Sequence, residues 1–225
     1  MFQALLHYAR SAKEHSFRVN YLERFSKALH IKNVRQNFSA TASEKTLPET
    51  EAENNPDVAR DQTERSLVER IQKNPSDRSA YEALGKLYLE RKKFADAEEV
   101  FEYLTRNYDT EDGYFSRLGT VYFNLKKFDQ AAAAYSRAIE LRGDLPNRYV
   151  NLSLCFEALG DYVKAIEAVR KAIRISSDNT AYLSLLADFL IRSGQNTEAS
   201  ETLERILELE PANGSARERL MSLKF

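Results

Sequence analysis

Four alanines recur at intervals of 34 residues along the chain: Ala97, Ala131, Ala165 and Ala199. A second row of small residues lies twelve positions ahead of the first, and a leucine precedes each of its members. This row consists of Gly85, Gly119, Ser153 and Ala187. A constant interval of this length indicates tandem copies of one supersecondary unit. Because small side chains let two helices approach closely, the two rows predict a pair of contacting helices in each unit.

Large apolar residues accompany both rows with the spacing of amphipathic helices. Phe115 lies four positions before Gly119, and Tyr122 lies three positions after it. Ala131 is followed four positions later by Tyr135. Such intervals place side chains on one helical face. Neither helix of a unit can bury its apolar stripe alone, so the units are expected to stack into an all-α array.

These positions resemble the tetratricopeptide repeat family, whose helix-turn-helix unit carries aromatic or Leu, Leu-Gly, Tyr, Ala and a closing Pro. The resemblance divides the chain into four repeats, residues 78–111, 112–145, 146–179 and 180–213. The closing proline falls on Pro211, whereas Asp109, Gly143 and Ser177 occupy its place earlier. Small or helix-ending residues meet the same need. The resemblance implies a right-handed α-solenoid.

The flanks of the repeats extend this predicted domain to residues 63–225. Residues 63–77 contain Leu67, Val68 and Ile71, and we predict that they form a covering helix. Residues 214–225 mix apolar and charged side chains, and they are predicted to form a capping helix because a terminal repeat needs a polar outer side.

Two segments of opposite charge precede the repeats. Residues 1–38 hold seven basic and two acidic side chains, and their apolar residues have helical spacing. They are predicted to form a basic amphipathic helical segment. Residues 39–62 hold six acidic and two basic side chains and few apolar ones. Such a composition offsets little of the entropy lost on ordering, which predicts a flexible acidic linker.

Three roles fit the basic segment. It is a docking helix for a membrane surface or a partner, an organellar targeting segment, or a helical hairpin packed on the repeats. No run approaches the roughly 18 apolar residues of a membrane-spanning helix. We expect a cytoplasmic protein, with a peripheral membrane or organellar location as the alternatives.

Catalytic and metal-binding patterns are absent from the sequence. The chain has one cysteine, Cys155, and its three histidines all precede the repeats. Cys155 is interpreted as a small buried apolar residue rather than a reactive thiol. Without a phosphate loop or a nucleophile with a histidine in the same domain, we expect neither an enzyme nor a cofactor or metal site. A net charge of −1 makes nucleic acid an unlikely partner for the whole chain.

The family resemblance implies that ligands bind along the first helices of the repeats, which line a concave groove. The expected partner-binding residues are Lys86, Arg117, Phe123, Asn124, Asn147, Val150, Asn151, Leu154 and Asp188. This set combines polar groups suited to a peptide backbone or carboxylate with an apolar seat. One subtype of the family clamps the carboxylates of chaperone tails with basic residues. Glu82 stands at the first of those positions, so that partner is not expected.

We therefore expect a non-catalytic scaffold or adaptor that binds an extended or helical segment of a partner protein in the groove. The alternative is a binder of anionic surfaces, either membrane or nucleic acid, that acts through residues 1–38. In that case the repeats serve as a docking or self-assembly module. No small-molecule substrate is expected.

Overall fold

Helices joined by short turns make up the whole described part of the chain. The computed structural model describes residues 56–223, with side chains from residue 62 onward. Within this range there are ten helices and no strand, which confirms the all-α prediction. The helices are α1 Pro56–Lys73, α2 Arg78–Glu90, α3 Phe94–Asn107, α4 Asp112–Asn124, α5 Phe128–Leu141, α6 Pro146–Ala158, α7 Tyr162–Ile175, α8 Thr180–Arg192, α9 Asn196–Leu209 and α10 Gly214–Leu223. The predicted basic segment 1–38 and residues 39–55 of the predicted linker lie outside the described residues.

The chain divides into two compact units, Met1–Leu87 and Tyr88–Phe225. In the described part of the first unit, α1 begins at Pro56, seven residues before the predicted start of the covering helix. The prediction of a linker through residue 62 is therefore corrected. Proline is favoured at the first helical position, and the helix continues into a stripe of buried apolar residues, Leu67, Val68 and Ile71. The polar composition of residues 56–62 suggested a linker. The buried apolar residues farther along stabilise the whole helix, including these polar residues at its start.

Consecutive helices of the second unit pack on one another in chain order. Within hairpins, α4 packs on α5, α6 on α7 and α8 on α9. Between hairpins, α5 contacts α6, α7 contacts α8 and α9 contacts α10. Each hairpin thus buries its apolar stripes partly against its own second helix and partly against the next hairpin, as expected for a repeat array.

The two rows of small residues lie where the helices touch. All four alanines of the first row are fully buried. In the second row, a Cβ added to Gly119 would lie 2.9 Å from Cε1 of Tyr135. The Tyr135 ring is held there because its hydroxyl bonds Oγ1 of Thr120 at 2.9 Å. Glycine is therefore needed at residue 119 for α4 to approach the ring of α5.

The turn inside each hairpin has a common geometry that the small rows did not predict. Its central residue has a positive φ: 55° at Lys92, 60° at Lys126, 77° at Gly160 and 79° at Gly194. The following amide donates back across the helix end, as from Lys127 N to Tyr122 O at 2.9 Å. These are the features of a Schellman helix end, which favours glycine at the left-handed position. Two of the four hairpins carry lysine there instead.

We expect Gly119→Ala to lower the free energy of unfolding by about 1–3 kcal/mol, because the methyl group overlaps a ring that cannot move away freely. The matched control is Gly113→Ala in the same helix, where the added Cβ meets only Nη1 of Arg117 at 3.2 Å. That change is expected to be neutral or to stabilise by up to about 1 kcal/mol. Urea denaturation of both variants checks this, and equal effects would contradict the proposed contact.

Lys126→Gly is expected to raise the free energy of unfolding by about 0.5–1 kcal/mol, because glycine adopts a positive φ without the steric cost that lysine incurs. Gly160→Ala, the reverse change at the equivalent turn, should lower it by about 1 kcal/mol. Thermal unfolding measures both. A loss of stability in the lysine-to-glycine variant would show that its side chain outweighs the backbone cost.

Candidate functional site

The first helices of three consecutive hairpins carry eight of the nine predicted partner-binding residues. We call the solvent-facing sides of α4, α6 and α8 the first-helix surface. Its predicted residues are Arg117, Phe123 and Asn124 on α4, Asn147, Val150, Asn151 and Leu154 on α6, and Asp188 on α8. Helices α4 and α6 contact each other directly, so the structure brings seven of these residues onto two touching helices. Lys86 is exposed on α2 and belongs to the first unit.

An apolar seat lies at the centre of the first-helix surface. Val150 and Leu154 are half-buried and lie one turn apart on α6. Leu154 packs against a core cluster that includes Val169 and Leu190, and half-buried Leu185 of α8 packs against the same cluster. The exposed parts of these side chains are therefore continuous with a rigid core. An apolar side chain of a ligand placed there would lose water contact without displacing the helices.

Two polar groups beside this seat are available to a ligand. Arg117 is exposed, and its guanidinium makes only a long 3.4 Å bond to the carbonyl of Gly113. Among the described residues it has no carboxylate partner. Asn151 occupies the equivalent position of the next hairpin, 34 residues later, and is half-buried. Its side-chain amide has no hydrogen-bond partner in the part of the chain that the structure describes.

Two other predicted residues are engaged by neighbouring helices. Asp188 accepts a hydrogen bond from the guanidinium of Arg219 on α10, which neutralises its charge. Asn147 accepts a 2.6 Å bond from the hydroxyl of Tyr182 on α8. Both side chains thus link one first helix to the next, and a ligand would have to compete with these internal bonds.

Phe123 and Asn124 are engaged by their own hairpin. The Phe123 ring lies edge-on to that of Phe128, with centroids 5.4 Å apart. The Asn124 amide nitrogen donates to the carbonyl of Thr120 at 2.8 Å. Their packing is local, and the side-chain oxygen and second amide hydrogen of Asn124 have no partner among the described residues. The residues best placed to bind a ligand are therefore Arg117, Asn151 and the apolar seat.

A buried arginine that sequence reasoning missed holds two hairpins together. Arg148 of α6 is only 7% exposed. Its Nη1 donates to the carbonyls of Ala138 and Arg142 at 2.9 and 2.8 Å, at the end of α5. Its Nη2 donates to the carboxylate of Asp112 at the start of α4. One guanidinium thereby provides a donor to the Arg142 carbonyl just past the helix end, adds a second donor to the Ala138 carbonyl, and pairs with a carboxylate of another helix.

Electrostatics at this contact favour the charged form of Asp112. The hydrogen bond from Arg148, together with the positive charge of that residue, lowers the pKa of Asp112 below its usual range. Farther along the surface, Arg192 donates to Glu157 at 2.5 Å and joins α8 to α6. The sequence signal for the Asp112–Arg148 contact was a charged residue at the start of one repeat and an opposite charge near the start of the next.

The single cysteine of the chain is inaccessible. Cys155 is buried, as predicted, and burial raises the pKa of its thiol to about 12. Among the described residues, no three His, Cys, Asp or Glu side chains are grouped so that they could hold a metal ion. No described helix combines the length and apolarity needed to cross a membrane.

Comparison with protein families gives three adjoining matches. Three family models, each described as tetratricopeptide repeat, match residues 51–112, 113–178 and 156–223. Together they reach from the start of the described region to its end. They agree with the family resemblance of the sequence and with the helical hairpins of the structure.

Curated relatives and solved structures match the same region. BBSome complex member BBS4 of Bos taurus is 37% identical over 100 residues, which are 44% of this chain and 19% of that protein. Protein O-mannosyl-transferase TMTC3 of Homo sapiens is 29% identical over 115 residues, 51% of this chain and 12% of that protein. The chain therefore spans less than a fifth of the length of either relative.

Two solved structures share the fold at low sequence identity. The crystal structure of MamA matches with a TM-score of 0.65 and 22% identity, covering 76% of this chain and 99% of that one. YrrB matches with a TM-score of 0.62 and 19% identity, covering 74% of this chain and 86% of that one. At these identities the likeness establishes the architecture alone.

Arg148→Met is expected to lower the free energy of unfolding by about 3 kcal/mol or more, because it removes the donor to the Asp112 carboxylate and to the Arg142 carbonyl and leaves the Ala138 carbonyl with the Arg142 amide alone. The control is Arg137→Met, which removes a pair with Glu140 in which both side chains are largely exposed. An exposed pair of this kind contributes less than about 1 kcal/mol. Chemical denaturation distinguishes the two, and a small effect at residue 148 would contradict its bridging role.

Proposed function

Because the chain belongs to the tetratricopeptide repeat family, we propose that it is a non-catalytic scaffold that binds a segment of a partner protein on its first-helix surface. One observation carries the proposal: the first-helix surface combines a half-buried apolar seat with the Arg117 guanidinium, which has no carboxylate partner among the described residues, and with the Asn151 amide, which has no hydrogen-bond partner among them. Polar atoms that meet no partner within the protein can bind a ligand without first breaking an internal bond. Neighbouring side chains that bond to other helices hold the first helices in place and keep the surface pre-formed.

The chemistry of the site indicates the type of segment. Arg117 is matched by a carboxylate, either a side chain or a chain terminus, because an arginine fork bonds a carboxylate through two donors. Asn151 can donate and accept at once, which suits a peptide backbone. Val150, Leu154 and Leu185 receive an apolar side chain next to that backbone. We therefore propose a segment with an acidic group close to a large apolar residue.

Related proteins support this kind of role. YrrB is described as a tetratricopeptide repeat protein with an unusual peptide-binding site, and BBS4 as a member of the BBSome complex. By analogy, the present chain contributes a repeat surface on which another protein is held. The binding energy comes from complementarity rather than from covalent chemistry.

The alternative function involves the basic segment 1–38, which lies outside the described residues. Its excess of five positive charges favours anionic surfaces. We propose that this segment, with the acidic residues that follow it, forms a module separate from the repeats. It would tether the scaffold, while the repeats select the partner.

Site-specific photo-crosslinking tests the main proposal. A photoreactive amino acid at residue 151 should capture a partner segment, whereas the same group at Lys171, exposed on α7, should not. The captured sequence is then synthesised as a peptide and titrated against the protein. Arg117→Glu is expected to weaken its binding by at least about tenfold, because a charge-assisted hydrogen bond contributes about 1.5–3 kcal/mol.

The matched control is Arg174→Glu, which reverses one exposed charge on α7. It should leave peptide binding unchanged, and both variants should unfold at the temperature of the unmodified protein. Equal capture at residues 151 and 171, or equal affinity of the Arg117 and Arg174 variants, would place the binding site elsewhere.

A further inference from the structure

The turns inside the hairpins form a row along one edge of the second unit. We call this row the corner edge and define it by four pairs: Lys92–Lys93, Lys126–Lys127, Leu159–Gly160 and Ser193–Gly194. Each pair contains one residue of positive φ, and these residues of positive φ recur every 34 residues. Because successive hairpins pack side by side, equivalent turns lie next to one another. This edge follows the carboxyl ends of the first helices, so Phe123 and Asn124 of the first-helix surface border it.

Lysines occupy the left-handed position in the first two turns of the corner edge. Lys92 and Lys126 are both exposed, and neither makes an ion pair within the described residues. Glycine fills the same position in the other two turns and would avoid the steric cost. When lysine occupies a strained position at which glycine would be relaxed, its side chain is inferred to have a function. Here the side chain supplies a free positive charge.

The third turn presents apolar side chains to solvent. Val163, in the first turn of α7, is 66% exposed, the highest value for a large hydrophobic residue in the described part of the chain. Leu159 precedes it by four residues and is 41% exposed. The two side chains flank Gly160 at the tip of the turn. They protrude from the edge and do not line a groove.

Charge differs between the corner edge and the opposite edge, where the loops between hairpins lie. Those loops carry more acidic than basic residues, among them Asp144, Asp178 and Glu210. Each of the first two corners holds two lysines and one aspartate, Asp96 or Asp129, whereas the third holds Asp161, whose carboxylate pairs with Lys164 at 2.7 Å. Lys127 is partly neutralised by Glu98 at 2.5 Å. Lys92 and Lys126, which make no ion pair among the described residues, therefore give the corner edge its positive charge.

We propose that the corner edge docks on an anionic lipid membrane, with Leu159 and Val163 entering the interface and Lys92 and Lys126 facing the headgroups. Exposed apolar side chains beside cations bind such an interface by combining hydrophobic burial with electrostatic attraction. Leu159 and Val163 are exposed at the turn, as insertion into a lipid interface requires. The acidic opposite edge is repelled by the same membrane, which sets the orientation of the protein.

A single-tryptophan probe tests insertion directly, since the natural chain contains no tryptophan. Val163→Trp in the full chain is mixed with vesicles of phosphatidylserine and phosphatidylcholine. We expect a blue shift of its fluorescence and quenching by brominated lipids. Ile175→Trp, at the other end of α7 and 43% exposed, is the matched control and should show neither change.

The electrostatic part is tested by vesicle co-sedimentation of the full chain. Lys92→Gln with Lys126→Gln should weaken binding by about thirtyfold, because each lysine near an anionic membrane contributes about fivefold. Lys171→Gln with Arg174→Gln removes the same charge from the exposed side of α7 and should change binding much less. Vesicles of phosphatidylcholine alone should bind weakly.

Two results would overturn the proposal. Vesicle binding with no fluorescence change at residue 163, and no loss in the Lys92 and Lys126 variant, would assign the contact to another part of the chain. Binding of polyglutamate but not of anionic vesicles, with the same dependence on both lysines, would assign the edge to an acidic protein. Unfolding is excluded as a cause when the circular dichroism of each variant matches that of the unmodified chain.

Discussion

The approach of α4 to the ring of Tyr135 shows the constraint on which each hairpin depends. Two helices can share a core only if one presents almost no side chain where the other presents its largest. Gly119 meets that need against Tyr135, and the fully buried Ala131 meets it one turn earlier on α5. The contact aligns two apolar stripes, and the next hairpin covers what they leave exposed. The packing of the next hairpin depends on this close spacing between the two helices.

Polar contacts add to this packing between hairpins and determine which groups remain available. Arg148 binds the end of α5 and the start of α4 from within the core. Tyr182 and Arg219 bind side chains that would otherwise have faced a ligand. Such bonds preserve the register of the first helices, which keeps a binding surface rigid. The function we propose therefore rests on the few groups left unpaired, Arg117 and Asn151 beside the apolar seat.

Sequence reasoning located the hairpins because each signal was local and repeated. The two small rows, the apolar spacing and the closing residues all lie within one 34-residue unit. The start of α1 was placed too late because its first residues are polar and its stability comes from Leu67, Val68 and Ile71 farther on. The left-handed turns were partly detectable, since Gly160 and Gly194 are 34 residues apart. The pattern was incomplete because lysines, Lys92 and Lys126, occupy the same position in the other two turns. Arg148 gave no clear local signal.

The sequence by itself determined the fold class, the length of the unit and the helix that carries each predicted residue. These follow from periodicity. Apolar residues recur at the spacing of one helical face, and the small contact residues recur once in each 34-residue unit. Only the tertiary structure decided which predicted residues stay available, since that depends on partners about 30 residues or more away in the chain, such as Arg219 for Asp188. It also showed which hydrophobic residues protrude, because exposure is a property of the packed hairpins and not of any single helix.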